Sequence, residues 1–400
     1  MVTAGASVRR AAWSALLLAA LTDALLVPFY PQFFAQTFGS SSLITPGLYV
    51  ALCRLAIAIT LPFWTRLTRR VAPLRLVAVA QVIAGTAGLL CAVAPDLYTF
   101  LAFTFIAEGA RGCYLLLYPV LVQSVEPDRR SGVVARVAAA VNGAGLLAAL
   151  LGGVLLEHMG GRTALAIAAL SDFAQLLCLL PVLARHSAPV PVPEPAGQSS
   201  GKRPVPVRLY LLCLVTFFAT SAIVLIRPHF TMFVDTEVGP GMPLWALGAV
   251  FVVPNAVAVL ATSLGGRVAH SPHARLWLVG AAWALAATAV LQFASPSLAF
   301  LIVARAAHGL AIYLVDVTVD YATLCGDQDS FGDFGIMSSV QNASIVVAPL
   351  AAGVLADLYG WSILFTVTFA AGALAALAAM ALAWSASRAA AARAAGTPIP

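Results

Sequence analysis

Charge is scarce in this chain. Of 400 residues only 10% are Asp, Glu, Lys or Arg, and Lys202 is the single lysine among 22 basic residues. A soluble domain cannot cover its surface with so few charges, which excludes that class. Long runs of like charge are also missing, so the net charge of +6 gives no basic patch for nucleic acid. The six cysteines (Cys53, Cys91, Cys113, Cys178, Cys213 and Cys325) have neither the spacing of a disulfide framework nor that of a zinc site. No His-Glu-x-x-His, nucleophile elbow or phosphate loop occurs. An enzyme or sensor is therefore not expected, and no catalytic residue, metal or cofactor is called for. Alternation of apolar and polar residues, the mark of the ~10-residue strands of a membrane barrel, is lacking too.

What is present is hydrophobic sequence. It makes up 61% of the chain, with a mean hydropathy of +0.95. Apolar runs near the ~20 residues that cross a bilayer recur at 11–35, 45–65, 74–94, 97–124, 131–156, 161–184, 208–233, 243–264, 274–294, 297–324, 334–356 and 361–384. These predict an all-α membrane protein of twelve transmembrane helices. Arg9 and Arg10 precede the first run, but it continues through Pro28 and Pro31 with no convincing small-residue cleavage site and reads as a span rather than a cleaved signal. With the N-terminus inside, every basic residue except Arg54, Arg111, Arg162, Arg227 and Arg305 falls in cytoplasmic loops or tails. That is a positive-inside pattern with both termini cytoplasmic. Alanine richness with one lysine points to a GC-rich bacterial genome and hence to a bacterial inner membrane.

Residues 185–207, first Pro-rich and then Gly/Ser-rich, cannot bury a core and are expected to form a cytoplasmic linker. They divide the chain into six-helix bundles at 1–184 and 208–384, with a tail at 385–400 that is expected to be a frayed interfacial helix. The two parts repeat each other. Gly153-Val154-Leu155-Leu156-Glu157-His158-Met159-Gly160 returns as Gly353-Val354-Leu355-Ala356-Asp357-Leu358-Tyr359-Gly360, and Asn142 returns as Asn342. Tyr30-Pro31-Gln32-Phe33 matches Arg227-Pro228-His229-Phe230, and Glu108-Gly109-Ala110-Arg111-Gly112 matches Arg305-Ala306-Ala307-His308-Gly309. The loop from Trp64 to Arg69 aligns with Gly265 to His270. Duplicated membrane halves commonly enclose a transport site.

The phrase Gly353 to Trp361 and the Arg305-x-x-x-Gly309 pattern resemble the major facilitator superfamily, over essentially the whole chain outside the tails and linker. Pro28-Phe29-Tyr30-Pro31, preceded by Asp23, is similar to the twelve-helix drug:proton antiporter branch and its vesicular amine relatives. The resemblance implies two pseudo-symmetric bundles that rock about a central site near mid-bilayer. Four places depart from the family pattern. Arg69 and His270 replace the acidic residue after segments two and eight. Glu108 stands where the family usually has arginine, with Arg111 one turn later. Ala148-Ala149-Leu150-Leu151-Gly152-Gly153 is what remains of the antiporter motif of segment five.

A charge at the bilayer centre costs from about 3 kcal/mol upward, so embedded charges normally face a cavity or a partner. Asp23, near mid-depth and on one face with Tyr30, is a candidate proton carrier; the alternative is a structural pair with Arg54 or Arg111. Glu108 and Arg111, three apart, can pair with each other, or Glu108 can couple protons while Arg111 meets an anionic group. Arg305 is the candidate for substrate contact, with His308 one turn away; His308 is equally readable as a packed histidine. Arg54, its repeat counterpart Asn255, and Arg227 complete the candidate substrate set. Asp316, Asp320 and Arg69 are candidate gating residues. Asp172 reads as a peripheral packing contact.

The expected activity is proton-coupled export of a small organic molecule by a monomer, its partners being protons, the substrate and the bilayer. The alternative is proton-coupled uptake of an organic anion or metal chelate, which the four embedded arginines favour.

Overall fold

The computed structural model describes residues 6–123, 125, 130–183, 207–269, 271, 273–324 and 330–394. The regular elements among the described residues are all helices, with no strand. Among the described residues, eleven stretches are long and apolar enough to cross a membrane. The expected linker lies outside the described residues except for Val207, and the expected tail is described only to Ala394.

Contacts divide the chain into two compact units. The first holds Met1–Val192 and Pro228–Asn255. Its helices are α1 (Ala6–Ala24), α2 (Tyr30–Phe38), α3 (Ile44–Leu67), α4 (Pro73–Ala92), α5 (Leu97–Arg111), α6 (Leu117–Gln123), α7 (Arg130–Met159), α8 (Gly161–Leu183), α10 (Phe230–Phe233) and α11 (Leu244–Phe251). The second unit holds Pro193–Arg227 and Ala256–Pro400. It contains α9 (Val207–Ile226), most of α12 (Val253–Ala269), α13 (Ala274–Phe293), α14 (Leu298–Leu324), α15 (Ser330–Tyr359) and α16 (Trp361–Ala394).

Proline sets where helices break. A proline lacks the N–H of the helical ladder and crowds the preceding turn. Val27–Phe29, around Pro28, is a 3-10 turn separating α1 from α2, and Arg227 to His229 likewise separates α9 from α10. The second break falls within the repeated Pro motif, and the first falls just before its counterpart, Tyr30–Phe33. Pro349, by contrast, lies inside an unbroken α15. The repeated phrase ends its helix in the same way each time. Gly160 and Gly360 follow 30-residue helices with φ of 77° and 76°, a left-handed conformation that glycine adopts without steric cost.

The fourth expected span, 97–124, is not one helix. It runs as α5, then a 3-10 stretch from Gly112 to Leu116, then α6. Asp96 starts α5 by accepting from the Thr99 amide (2.9 Å) and hydroxyl (2.8 Å). These bonds favour the ionised carboxylate and hold it below its ordinary range.

Within the first unit, Pro228–Asn255 packs against the Val27–Phe29 turn and α7 and reaches Gln32 of α2. The Thr231 hydroxyl donates to the Pro28 carbonyl, and the Leu244 amide donates to Glu157 at 3.0 Å. A Cβ on Gly152 would fall on the Leu25 carbonyl, and one on Gly153 would sit 2.7 Å from the Trp245 backbone. Overpacking of this kind costs about 1–3 kcal/mol. Gly152→Ala should therefore lower the thermal unfolding midpoint in detergent. Gly143→Ala, where nothing lies within 4 Å of the added carbon, should leave it unchanged or slightly raised.

Candidate functional site

Three neighbouring elements of the first unit bring its buried charges together. Glu108 and Arg111 share one face near the end of α5, and the chain then tightens into its 3-10 stretch. Residues three apart eclipse each other in that geometry, so Tyr114 continues the line that Glu108 and Arg111 begin. A 3-10 interval inside a helix is a common mark of a functional hinge.

Arg111 is shared between two acids. Its Nη1 pairs with Glu108, while its Nε and Nη2 meet Asp172 of α8 at 3.4 and 2.8 Å. Gln175, one turn along α8, donates to the same carboxylate at 3.2 Å. The Asp172 side chain is fully buried, whereas those of Glu108 and Arg111 keep 12% exposure. A two-pronged guanidinium–carboxylate contact is the strongest and most directional ion pair available to these side chains. Close approach of α4 and α8 makes it possible: Gly88 abuts Ala169 so tightly that an added Cβ would sit 2.9 Å from the Ala169 methyl.

Asp23 stands apart from that pair. Its Oδ2 accepts from the Tyr114 hydroxyl at 2.8 Å, and its buried Oδ1 accepts no hydrogen bond. Arg111 and Arg54 both lie within electrostatic reach, yet neither forms an ion pair with it among the described residues. Arg54, on α3, is exposed. Tyr30 and Tyr49 form an edge-to-face pair with centroids 4.8 Å apart, in the same electrostatic neighbourhood as Asp23, Arg54 and Glu108.

Asn255 donates to Asn142 at 3.3 Å, so the repeat counterpart of Arg54 holds one of the two repeated asparagines. Arg69 is exposed in the turn after α3.

In the second unit, Arg305 of α14 is buried and donates to Gln292 of α13 at 3.2 Å. His308 is also buried, with Nδ1 2.9 Å from the Thr288 hydroxyl. That hydroxyl also lies 3.0 Å from the Leu285 carbonyl, and both contacts are met when His308 carries its proton on Nδ1. His308 is tied to Arg305 through Thr288 and Gln292, whose amide donates to the Thr288 carbonyl at 3.1 Å. Arg227 is exposed, as are Asp316 and Asp320, one turn apart on α14. The two aspartates form no ion pair among the described residues.

Sequence reasoning paired Glu108 with Arg111 but missed the rest of their setting. Asp172 is the fixed partner of Arg111 rather than a peripheral contact. Tyr114 and Gln175 were also overlooked, although each sits three residues from a charge it extends. That spacing was the available signal. No cluster of His, Cys, Asp or Glu able to hold a metal occurs among the described residues.

A sequence profile of the Major Facilitator Superfamily matches residues 12–324. No curated protein matches significantly. Among solved structures, the chain is similar to a bacterial homologue of the human lysosomal transporter Spinster in its inward-facing, occupied conformation. The TM-score is 0.76 at 15% identity, with 95% of this chain and 96% of that one covered. The unoccupied inward-facing form gives a TM-score of 0.71 at 17% identity over 95% and 96%. The nucleoside transporter NupG gives 0.73 at 11% identity over 93% and 99%. At such identities the likeness shows the fold alone.

Removing one partner of a buried ion pair costs about 3–5 kcal/mol, because the other charge remains buried. Asp172→Asn should therefore lower the unfolding midpoint in detergent substantially. Glu108→Gln should lower it less, since Asp172 continues to hold Arg111. Equal losses would show that the two acids contribute alike.

Proposed function

The chain belongs to the major facilitator superfamily, and on that premise we propose that it is a proton-coupled exporter of a small organic molecule, with Asp23 as the proton carrier. Proton coupling needs a carboxyl that exists stably in both charge states and can exchange its proton. The observation that carries the reading is the environment of Asp23. One oxygen is held by a neutral hydroxyl, the other accepts nothing, and no cation is locked against it.

The other two acids are less suited. Asp172 is committed to Arg111 on both oxygens and to Gln175. Protonating Glu108 would not free Arg111, because Asp172 retains it. Glu108 is then a secondary proton site whose charge is felt at Asp23 through Arg111. Arg54, Arg111, Tyr30 and Asn255 from the first unit, with Arg227, Arg305 and His308 from the second, are proposed to contact substrate. Asp316, Asp320 and Arg69 are proposed to act in gating.

The proposed setting is a bacterial cytoplasmic membrane, with both termini inside and a monomer as the working unit. The proposed halves are residues 1–184 and 208–384, joined by 185–207 and working by alternating access, as in the drug:proton antiporter branch. The exposed guanidinium of Arg54 favours a second reading, uptake of an organic anion by proton symport.

Transport in whole cells and in inverted vesicles separates the two. Accumulation in whole cells driven by an inward proton gradient contradicts export. Asp23→Asn should abolish proton-driven transport while substrate exchange stays measurable, and full gradient-driven activity in that variant would remove Asp23 from the coupling role.

A further inference from the structure

Two opposite charges of the first unit lie within electrostatic reach of each other and form no ion pair among the described residues. Asp23 of α1 leaves Oδ1 without a hydrogen bond. Arg54, midway along α3, is exposed and makes no hydrogen bond or ion pair with any described residue. Each lies within electrostatic reach of the other, and Glu108 also feels Arg54. Placed halfway along a membrane-spanning helix beside these acids, an arginine faces the polar interior rather than lipid.

The charges around them are already assigned. Arg111 is already held by Glu108 and Asp172, which leaves less of its guanidinium for a further anion. The carboxylate of Asp23 has acceptor capacity to spare and the guanidinium of Arg54 has donor capacity to spare. A guanidinium recognises carboxylate or phosphate by paired N–H donors, and a carboxylate recognises an ammonium. The Tyr30–Tyr49 edge-to-face pair supplies an aromatic wall in the same neighbourhood.

We infer that this site takes a zwitterion, with its ammonium on Asp23 and its carboxylate or phosphate on Arg54. The inference rests on the reading of the chain as a proton-coupled carrier and gives that reading a substrate class. A purely cationic substrate would leave Arg54 unanswered, and a purely anionic one would meet the charge of Asp23. The exchange logic follows from the same geometry. An ammonium and a proton compete for one carboxylate, so loading either one favours release of the other.

The test is binding by purified wild-type protein in detergent at alkaline pH, where protons compete least. Two matched series serve as probes. One is phenylalanine, phenethylamine and 3-phenylpropionate; the other is phosphoethanolamine, ethanolamine and inorganic phosphate. At least one zwitterion should bind more tightly than both of its single-charge counterparts, and the series that responds identifies the anion as carboxylate or phosphate.

Arg54→Gln should weaken that zwitterion by about 10- to 100-fold, the loss expected for one charge-assisted hydrogen bond, while the matched amine is little affected. Arg54→Lys should restore part of the loss. If neither zwitterion binds, or if the single-charge counterparts bind as well, the substrate class is overturned. Because binding is read without a gradient, that failure is distinct from failure of proton coupling, which Asp23→Asn reports separately.

Discussion

Burying charge where hydrocarbon surrounds the protein is the constraint on which the rest of the structure depends. Arg111 meets it by sharing one guanidinium between Glu108 and Asp172. A single buried ion pair often fails to recover its desolvation cost unless further hydrogen bonds satisfy it. Here Gln175 adds such a bond on the Asp172 side. The glycines of α4 belong to the same arrangement. Gly85 and Gly88 meet Phe173 and Ala169 at distances that exclude a Cβ, so α8 comes near enough for its aspartate to reach α5. Small residues here position a charge pair as well as packing two helices.

The consequence is an uneven distribution of freedom. With Arg111 fixed, the first unit keeps Asp23 on a neutral hydroxyl and Arg54 without a partner among the described residues. At the position matching Glu108 the second unit has Arg305 in place of an acid. Its buried Arg305 and His308 are tied through Gln292 and Thr288, side chains that carry no charge. A duplicated framework has thus come to hold different chemistry in its two copies: Glu108 and Arg111 occupy the positions where the second copy has Arg305 and His308. The shared parts are scaffolding. Gly160 and Gly360 end equivalent helices with nearly equal φ, and the first helix of each copy is broken at or just before the repeated proline motif.

Much of this architecture was legible from composition and periodicity, because membrane spans are set by length and apolarity alone. The break at Gly112–Leu116 was not. Its residues, Gly112-Cys113-Tyr114-Leu115-Leu116, continue the apolar run without a proline, and the change of winding follows from packing against α3 and α4. Asp172 was misjudged for a related reason. Its helix α8 shows no amphipathic face, so nothing local says which side of it is buried. Only tertiary contact reveals that the aspartate points at Arg111. Tyr114 sits three residues beyond Arg111, as Arg111 does beyond Glu108, but only tertiary contact shows that it meets Asp23.

The central claim is that Asp23 is the mobile carboxyl and that Glu108 and Asp172 are held by Arg111. Infrared difference spectroscopy on the reconstituted protein, stepped between alkaline and acidic pH, addresses this most directly through the carboxyl C=O stretch. The account predicts a band component that disappears in Asp23→Asn and persists in Glu108→Gln. A spectrum unchanged by Asp23→Asn, with the component lost in Glu108→Gln instead, would contradict it.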